Sequence, residues 1–185
     1  MSLARCVDAF STARLDAHRG GIADLDFVAA LFADDRVTAT LGGPRTRAQA
    51  HEALVRWDQH WNAHGFGPWV LTDRTTHDPV GWLLLHHTET GGANNVELGW
   101  SIAADRWREG LASEAALEGL RIAFEEIDLP DLVTFTLVDN VASRGVMEKV
   151  GFVYDGDVVH ADLPHVLYRL DRETWERLMG EKPRG

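Results

Sequence analysis

Apolar residues recur at helical spacing early in the chain: Ile22, Leu25, Val28, Ala29 and Phe32 mark one helix, preceded by a short strand over 14–18. A second helix carries signals at both ends. Thr46 with Gln49 forms a capping box, Trp57 and Trp61 share a face, and Gly65 supplies a left-handed stop, which predicts a helix over 46–64. The period then drops to two. Residues 69–72 and 80–85 flank the turn signal Asp78-Pro79 as an antiparallel hairpin. Val96, Leu98, Trp100 and Ile102 alternate with Glu97, Gly99 and Ser101 in a half-buried strand, with Glu97 on its less apolar face. Helical spacing returns from Gly110 to Ile127 and Pro130 ends it. A strand over 132–138 leads to Asn140, a good N-cap, then to a short helix with Val146, Met147 and Val150 that Gly151 closes. Residues 152–160 and 165–170 read as a closing hairpin about Asp162 and Pro164, and 177–185 as a frayed tail. The order β-α-α-β-β-β-α-β-α-β-β predicts one α/β (α+β) domain over 1–185, a mixed sheet with helices on both faces.

Composition narrows the partners. A chain of 185 residues buries enough surface to need no covalent staple. Its 18 Lys and Arg against 29 Asp and Glu give a net charge of −11, which argues against a nucleic-acid or anionic-membrane surface. Any anionic ligand must be held locally. The lone Cys6 excludes an internal disulfide and a cysteine-built zinc site and reads as inert. No apolar run approaches the ~20 residues of a membrane helix, and Met1–Arg5 lacks the apolar stretch of a secretion signal, so the expected location is cytoplasmic. His86-His87, with His77, His160 and His165, lack the carboxylate spacing of a metal site, and no metal is expected.

The stretch from Trp100 to Ala116 carries chemistry. A strand runs through a loop into a long helix, whose first N–H groups point outward beside the positive end of the helix dipole. Gly110 and Ala112 are small enough for a ligand to approach the main chain, and Arg106 and Arg108 add positive charge. Such a loop suits a phosphate. An ordinary helix start with solvated arginines explains the same residues.

Taken in order with the later segments, this stretch resembles the GNAT N-acetyltransferase superfamily. The pyrophosphate loop Q/R-x-x-G-x-G/A falls on Trp107 to Ala112, and N-x-x-S…E-K-x-G-F on Asn140, Ser143, Glu148, Lys149, Gly151 and Phe152. Val96–Trp100, Ser113-Glu114-Ala115 and Gly65–Trp69 further resemble the branch that includes the ribosomal-protein N-terminal acetyltransferases. The likeness covers about residues 12–171. Trp107 departs from Gln or Arg, and Arg108 from this branch's Gly. A left-handed backbone at Arg108 would cost about 1 kcal/mol.

The resemblance implies a mostly antiparallel sheet of about seven strands with a splayed central pair, and direct acetyl transfer from acetyl-CoA to a primary amine. Main-chain N–H groups of Arg108, Glu109, Gly110, Leu111, Ala112 and Ser113 would hold the diphosphate, with Arg106 or Arg108 reaching it. Trp100, Ser101 and Ile102 would form the splayed strand that binds the pantetheine arm, joined by Asn140. Glu97 is the candidate base, with Gly99 leaving room for substrate, and Ser143 the candidate proton donor to the thiolate, because Met147 occupies the slot where many members have Tyr. Tyr154 and Tyr168 are alternative donors. Trp57, Trp61, Phe66 and Trp69 surround the expected acceptor wall. The acceptor is a protein N-terminus or a small-molecule amine, net acidity leans weakly toward a cationic one, and the assembly is a monomer or homodimer. The rival readings are a non-catalytic acyl-CoA-binding or regulatory module on the same fold, and a nucleotide-binding protein, which lacks a P-loop Lys or G-x-G-x-x-G.

Overall fold

In the computed structural model, which describes residues 7–181, eight strands form one sheet. They are β1 (Ala9–Ser11), β2 (Leu15–Arg19), β3 (Trp69–Asp73), β4 (Pro79–Thr90), β5 (Ala93–Ile102), β6 (Asp131–Leu137), β7 (Val153–His160) and β8 (Leu163–Asp171). Their order is β1-β2-β3-β4-β5-β6-β8-β7. Neighbours are antiparallel except β5 and β6, which are parallel and share one register pair, Glu97 opposite Val133. Beyond that pair the two strands part. The strand beyond the expected seven is β1, whose three residues are too few to show an alternation.

Helices α1 (Leu25–Ala33), α2 (Asp35–Thr38), α3 (Arg47–His64), α4 (Leu111–Arg121), α5 (Val141–Val150) and α6 (Arg172–Glu181) cover both faces. Alternation along β4 shows this directly. Leu83 and Leu85 enter a core with Leu98, Ala116 and Leu120, whereas Trp82 enters a second core with Val28, Phe32 and Leu54. Packing of α4 on the sheet is close enough that a Cβ at Gly119 would lie 2.8 Å from Leu98 Cδ1. Among the described residues no helix is long and apolar enough to cross a membrane.

The capping signals form as expected. Thr46 Oγ1 accepts from the Gln49 N–H and Gln49 Oε1 from the Thr46 N–H, and Gly65 ends α3 at φ 75°. Gly151 ends α5 at φ 108°. Three boundaries differ. Ile22–Asp24 is a 3-10 turn with Ile22 56% exposed, so the first helix starts later than its apolar spacing suggests. The long helical stretch divides into α4 and a wide π turn over Ile122–Glu126. Residues 177–181 are not frayed but belong to α6, where Asp171 Oδ1 accepts from the Thr174 N–H and buried Trp175 stacks on Phe124. A capping aspartate and one tryptophan outweigh an otherwise polar segment. The expectations for Cys6 and for Met1–Arg5 lie outside the described residues.

Candidate active site

A cleft of about 1070 Å³ opens where β5 and β6 part, bounded by the loop before α4, the start of α5, and α1 to α3. A single drug-sized ligand commonly occupies 300–1,000 Å³; this cleft has room for a large ligand and a smaller one together.

Six consecutive main-chain N–H groups, from Arg108 to Ser113, donate to no other described residue. Two left-handed residues shape this stretch, Arg108 at φ 66° and Gly110 at φ 82°. At 110 the backbone angle requires glycine, not crowding: the nearest atom to an added Cβ is Arg14 Nη2 at 3.6 Å. Arg14 clamps the loop from behind. Its Nη1 donates to the Glu109 carbonyl at 2.7 Å, and its Nε to Glu114 Oε2 at 2.7 Å. Because a peptide unit is planar and trans, pinning the Glu109 carbonyl toward Arg14 turns the Gly110 N–H the opposite way.

The two loop arginines separate in role. Arg106 donates to the carboxylates of Glu109 and Asp73, which raises its own pKa, and beside it the Asp73 carboxyl drops to about 2. Its charge is therefore compensated, and Glu109 offers the cleft its main chain only. Arg108 is exposed and its side chain has no partner among the described residues. The indole N–H of Trp107 donates to the Ile102 carbonyl at 2.7 Å, anchoring the loop to the end of β5.

On the opposite wall, Glu97 faces His86, its register partner on β4, with Oε2 3.7 Å from Nδ1. The Glu97 side chain is 13% exposed, and burial pushes its pKa up to about 8. Burial, with the nearby His60 and His87, pushes His86 down to about 4. The pair is thus neutral around pH 6 and no salt bridge, in keeping with the absence of a hydrogen bond at His86 Nδ1. His60 is held as a neutral tautomer, its Nδ1–H donating to the Phe66 carbonyl and its Nε2 accepting from the His87 N–H. Among the described residues no group of three or more His, Cys, Asp or Glu side chains could hold a metal ion. Gly99 leaves room for the carboxyl of Glu97 itself: a Cβ there would lie 3.1 Å from Glu97 Oε1 and 3.2 Å from Leu84 Cγ. Gly99 also lines the cleft, so a side chain there would crowd both this carboxyl and the open space beside it.

At the start of α5, Asn140 Oδ1 accepts from the Ser143 N–H, while its Nδ2 donates to Thr136 Oγ1 at 2.8 Å and Ser143 Oγ at 3.1 Å. Both amide hydrogens are engaged within the chain, which leaves Asn140 its oxygen atoms for a ligand in the cleft it lines. Ser143 gains by this, since its oxygen accepts from Asn140 and its own hydrogen stays free to donate. Trp100, Ser101 and Ile102 line the cleft opposite residues 134–137 of β6.

A family model described as an acetyltransferase (GNAT) domain matches residues 18–153. The chain belongs to the GNAT acetyltransferase family. One relative is the FsC-acetyl coenzyme A-N(2)-transacetylase of Aspergillus fumigatus, 31% identical over 133 residues, which are 64% of this chain and 55% of that protein. The chain spans little more than half the length of that relative and of another from Bacillus subtilis, 55% and 57%. Among solved structures, an acetyltransferase from Agrobacterium tumefaciens aligns with TM-score 0.78 and 25% identity over 92% of this chain and 98% of its own. The ribosomal-protein-S5-alanine acetyltransferase of Vibrio fischeri aligns with TM-score 0.71 and 17% identity over 90% and 98%, a likeness of fold.

In this GNAT chain the expected aromatic wall is mostly core. Trp57 lines the cleft, edge-on to Trp82, but Trp61, Phe66 and Trp69 do not. Trp61 is 2% exposed and donates to the Pro68 carbonyl; Trp69 is fully buried and donates to that of Val7. Phe66 is buried beside His60. Large rings with satisfied N–H groups gain more from burial than from lining a wet cleft. Neither tyrosine reaches the cleft. The Tyr154 hydroxyl donates to Asp157 and the Tyr168 hydroxyl to Glu148. Sequence reasoning missed Trp82 and His86 in the wall, and Arg14 behind the loop. His86 had a signal: the strand phase that places Glu97 also places its partner across the hairpin.

Proposed function

We propose that this GNAT domain transfers an acetyl group from acetyl-CoA to a primary amine by direct attack in a ternary complex. Acetyl-CoA, bound in the cleft, supplies a thioester carbonyl as the electrophile. The observation that carries the reading is the row of unpaired N–H groups from Arg108 to Ser113, opening into the same cleft as Glu97. Those N–H groups, beside the N-terminus of α4, suit a diphosphate. Trp100, Ser101 and Ile102, on the stretch of β5 that has left β6, offer main-chain partners for the amides of a pantetheine arm.

Glu97 takes a proton from the acceptor's ammonium group, and the lone pair so freed attacks the thioester carbonyl. With a pKa near 8 it matches a free α-amine at ~7.7–8.0 and is a workable base at slightly alkaline pH. Ser143 gives a hydrogen bond from its free hydroxyl hydrogen to the departing thiolate, and the proton that the nitrogen sheds as the amide forms ends on that sulfur as the C–S bond breaks. Mixing the protein with acetyl-CoA and a panel of amines, and following free thiol alongside calorimetry with CoA, tests the reading. Thiol release with some amine is expected, and no release together with no CoA binding overturns it. A second reading, a silent acyl-CoA-binding module, draws on both tyrosines lying outside the cleft. CoA binding with no transfer to any acceptor would favour it.

A further inference from the structure

The two ends of the cleft differ in charge, and the acceptor end is cationic within an acidic protein. Glu97 is the only carboxyl group among the described residues lining the cleft, against five arginines. Arg36 is compensated by Asp34 and Asp105, at 2.7 and 2.8 Å, as Arg106 is by Asp73 and Glu109. Arg108 lies at the loop. Arg45 and Arg56 remain, and neither has a carboxylate partner among the described residues. Half-buried Arg45 lies over the Phe32 ring at 4.8 Å and gives one side-chain hydrogen bond, to the Leu41 carbonyl at 3.3 Å. Burial, and the like charge of Arg56, lower its pKa, which marks two guanidinium groups near each other without a counter-ion. Nearby Trp82 is 7% exposed and its indole N–H has no acceptor. This wall carries two guanidinium groups and a free indole N–H but no carboxylate, and a half-buried cation such as Arg45 gains a counter-ion when an anion arrives.

We propose that the acceptor is an amine carrying its own anionic group, a carboxylate or phosphate, which Arg45 and Arg56 hold while its amine faces Glu97. The proposal rests on the acetyl-transfer reading and reverses the lean toward a cationic acceptor that net charge alone suggests. Local charge governs here, because exposed charges more than ~10 Å away are largely screened at ordinary salt.

The test compares matched acceptors by thiol release. Amino carboxylates with the amine and the acid one to five carbons apart are each run against their carboxamides, phosphoethanolamine against ethanolamine, and spermidine as the cationic arm. In the best pair the anionic member is expected to exceed its neutral partner about tenfold or more in kcat/KM, and the pair that does so separates carboxylate from phosphate. Arg45→Gln and Arg56→Gln should each shrink that preference several-fold. Arg56, being exposed, supplies a variant that folds even if Arg45→Gln does not. Neutral members or spermidine doing as well as the anionic ones would overturn the inference and leave acetyl transfer standing. So would a tenfold loss of CoA affinity in either variant, which would assign the arginines to the coenzyme. Thiol from no amine at all overturns the reading beneath it.

Discussion

The loop before α4 and the wall formed by α1, α3 and β4 line one cleft but are built differently. The loop presents main chain: N–H groups shaped by Gly110, by left-handed Arg108 and by the clamp of Arg14. The opposite wall presents side chains from distant elements, Arg45, Arg56, Trp82, His86 and Glu97. A main-chain device tolerates exchange of its side chains as long as the backbone angles survive. The side-chain wall owes each of its properties to an individual residue. Coenzyme affinity should therefore depend on conformation, and acceptor choice and proton transfer on identity.

The sharpest break is Glu97→Gln, expected to lower kcat/KM roughly a hundredfold for an amine of high pKa while leaving CoA affinity unchanged. The wild-type pH profile should rise through about pH 8, and the variant should lose that inflection; an identical profile would remove Glu97 from proton transfer. The same substitution should act oppositely on stability. In the unfolded chain the carboxyl ionises near 4.5, and in the folded one near 8, so wild type loses stability as pH rises from about 4.5 to about 8. Melting curves at pH 8 should show Glu97→Gln above wild type, at roughly 2–4 °C per kcal/mol, with the gap closing by pH 4.5. His86 has the reverse sign: its depressed pKa contributes stability that is lost as pH falls from about 6.5 to about 4.

Next in size, Gly110→Val forces a β-branched residue into a left-handed conformation and should weaken CoA binding about tenfold or more by calorimetry. Arg14→Met frees the Glu109 carbonyl without touching the cleft; a severalfold rise in the CoA dissociation constant is expected, with the acceptor preference intact. Smallest is Arg108→Gly. If the main chain holds the diphosphate, affinity should change less than threefold while thermal stability rises by up to about 1 kcal/mol from relieved strain. A tenfold loss of affinity would show that the guanidinium contributes as well.

This difference in construction also decides what was legible beforehand. Gly65, Gly110, Asn140 and Gly151 announce turns and caps because few residue types tolerate those conformations, and so the loop, α3 and α5 could be read locally. The alternation of β5 gave the phase of Glu97. That its carboxyl is nonetheless desolvated beside His86 and Leu84, which lifts its pKa, shows only once the strands have paired. Trp61 and Trp69 could not be told from Trp57 because all three are large rings near one segment. Their hydrogen-bond partners, Pro68 and Val7, decide which are core. Arg45 and Arg56 looked like solvated surface, since a missing counter-ion is visible only after folding.

The parting of β5 and β6 after Glu97 and Val133 leaves the sheet with an unfinished seam at its centre, which on the proposed reading an entering coenzyme completes. A ligand at a hundred times its dissociation constant would add about 2.7 kcal/mol to folding. Much of that should appear as slowed amide exchange along 98–102 and 134–137. Mending the seam with protein alone would yield a tougher sheet and close the door through which the substrate comes.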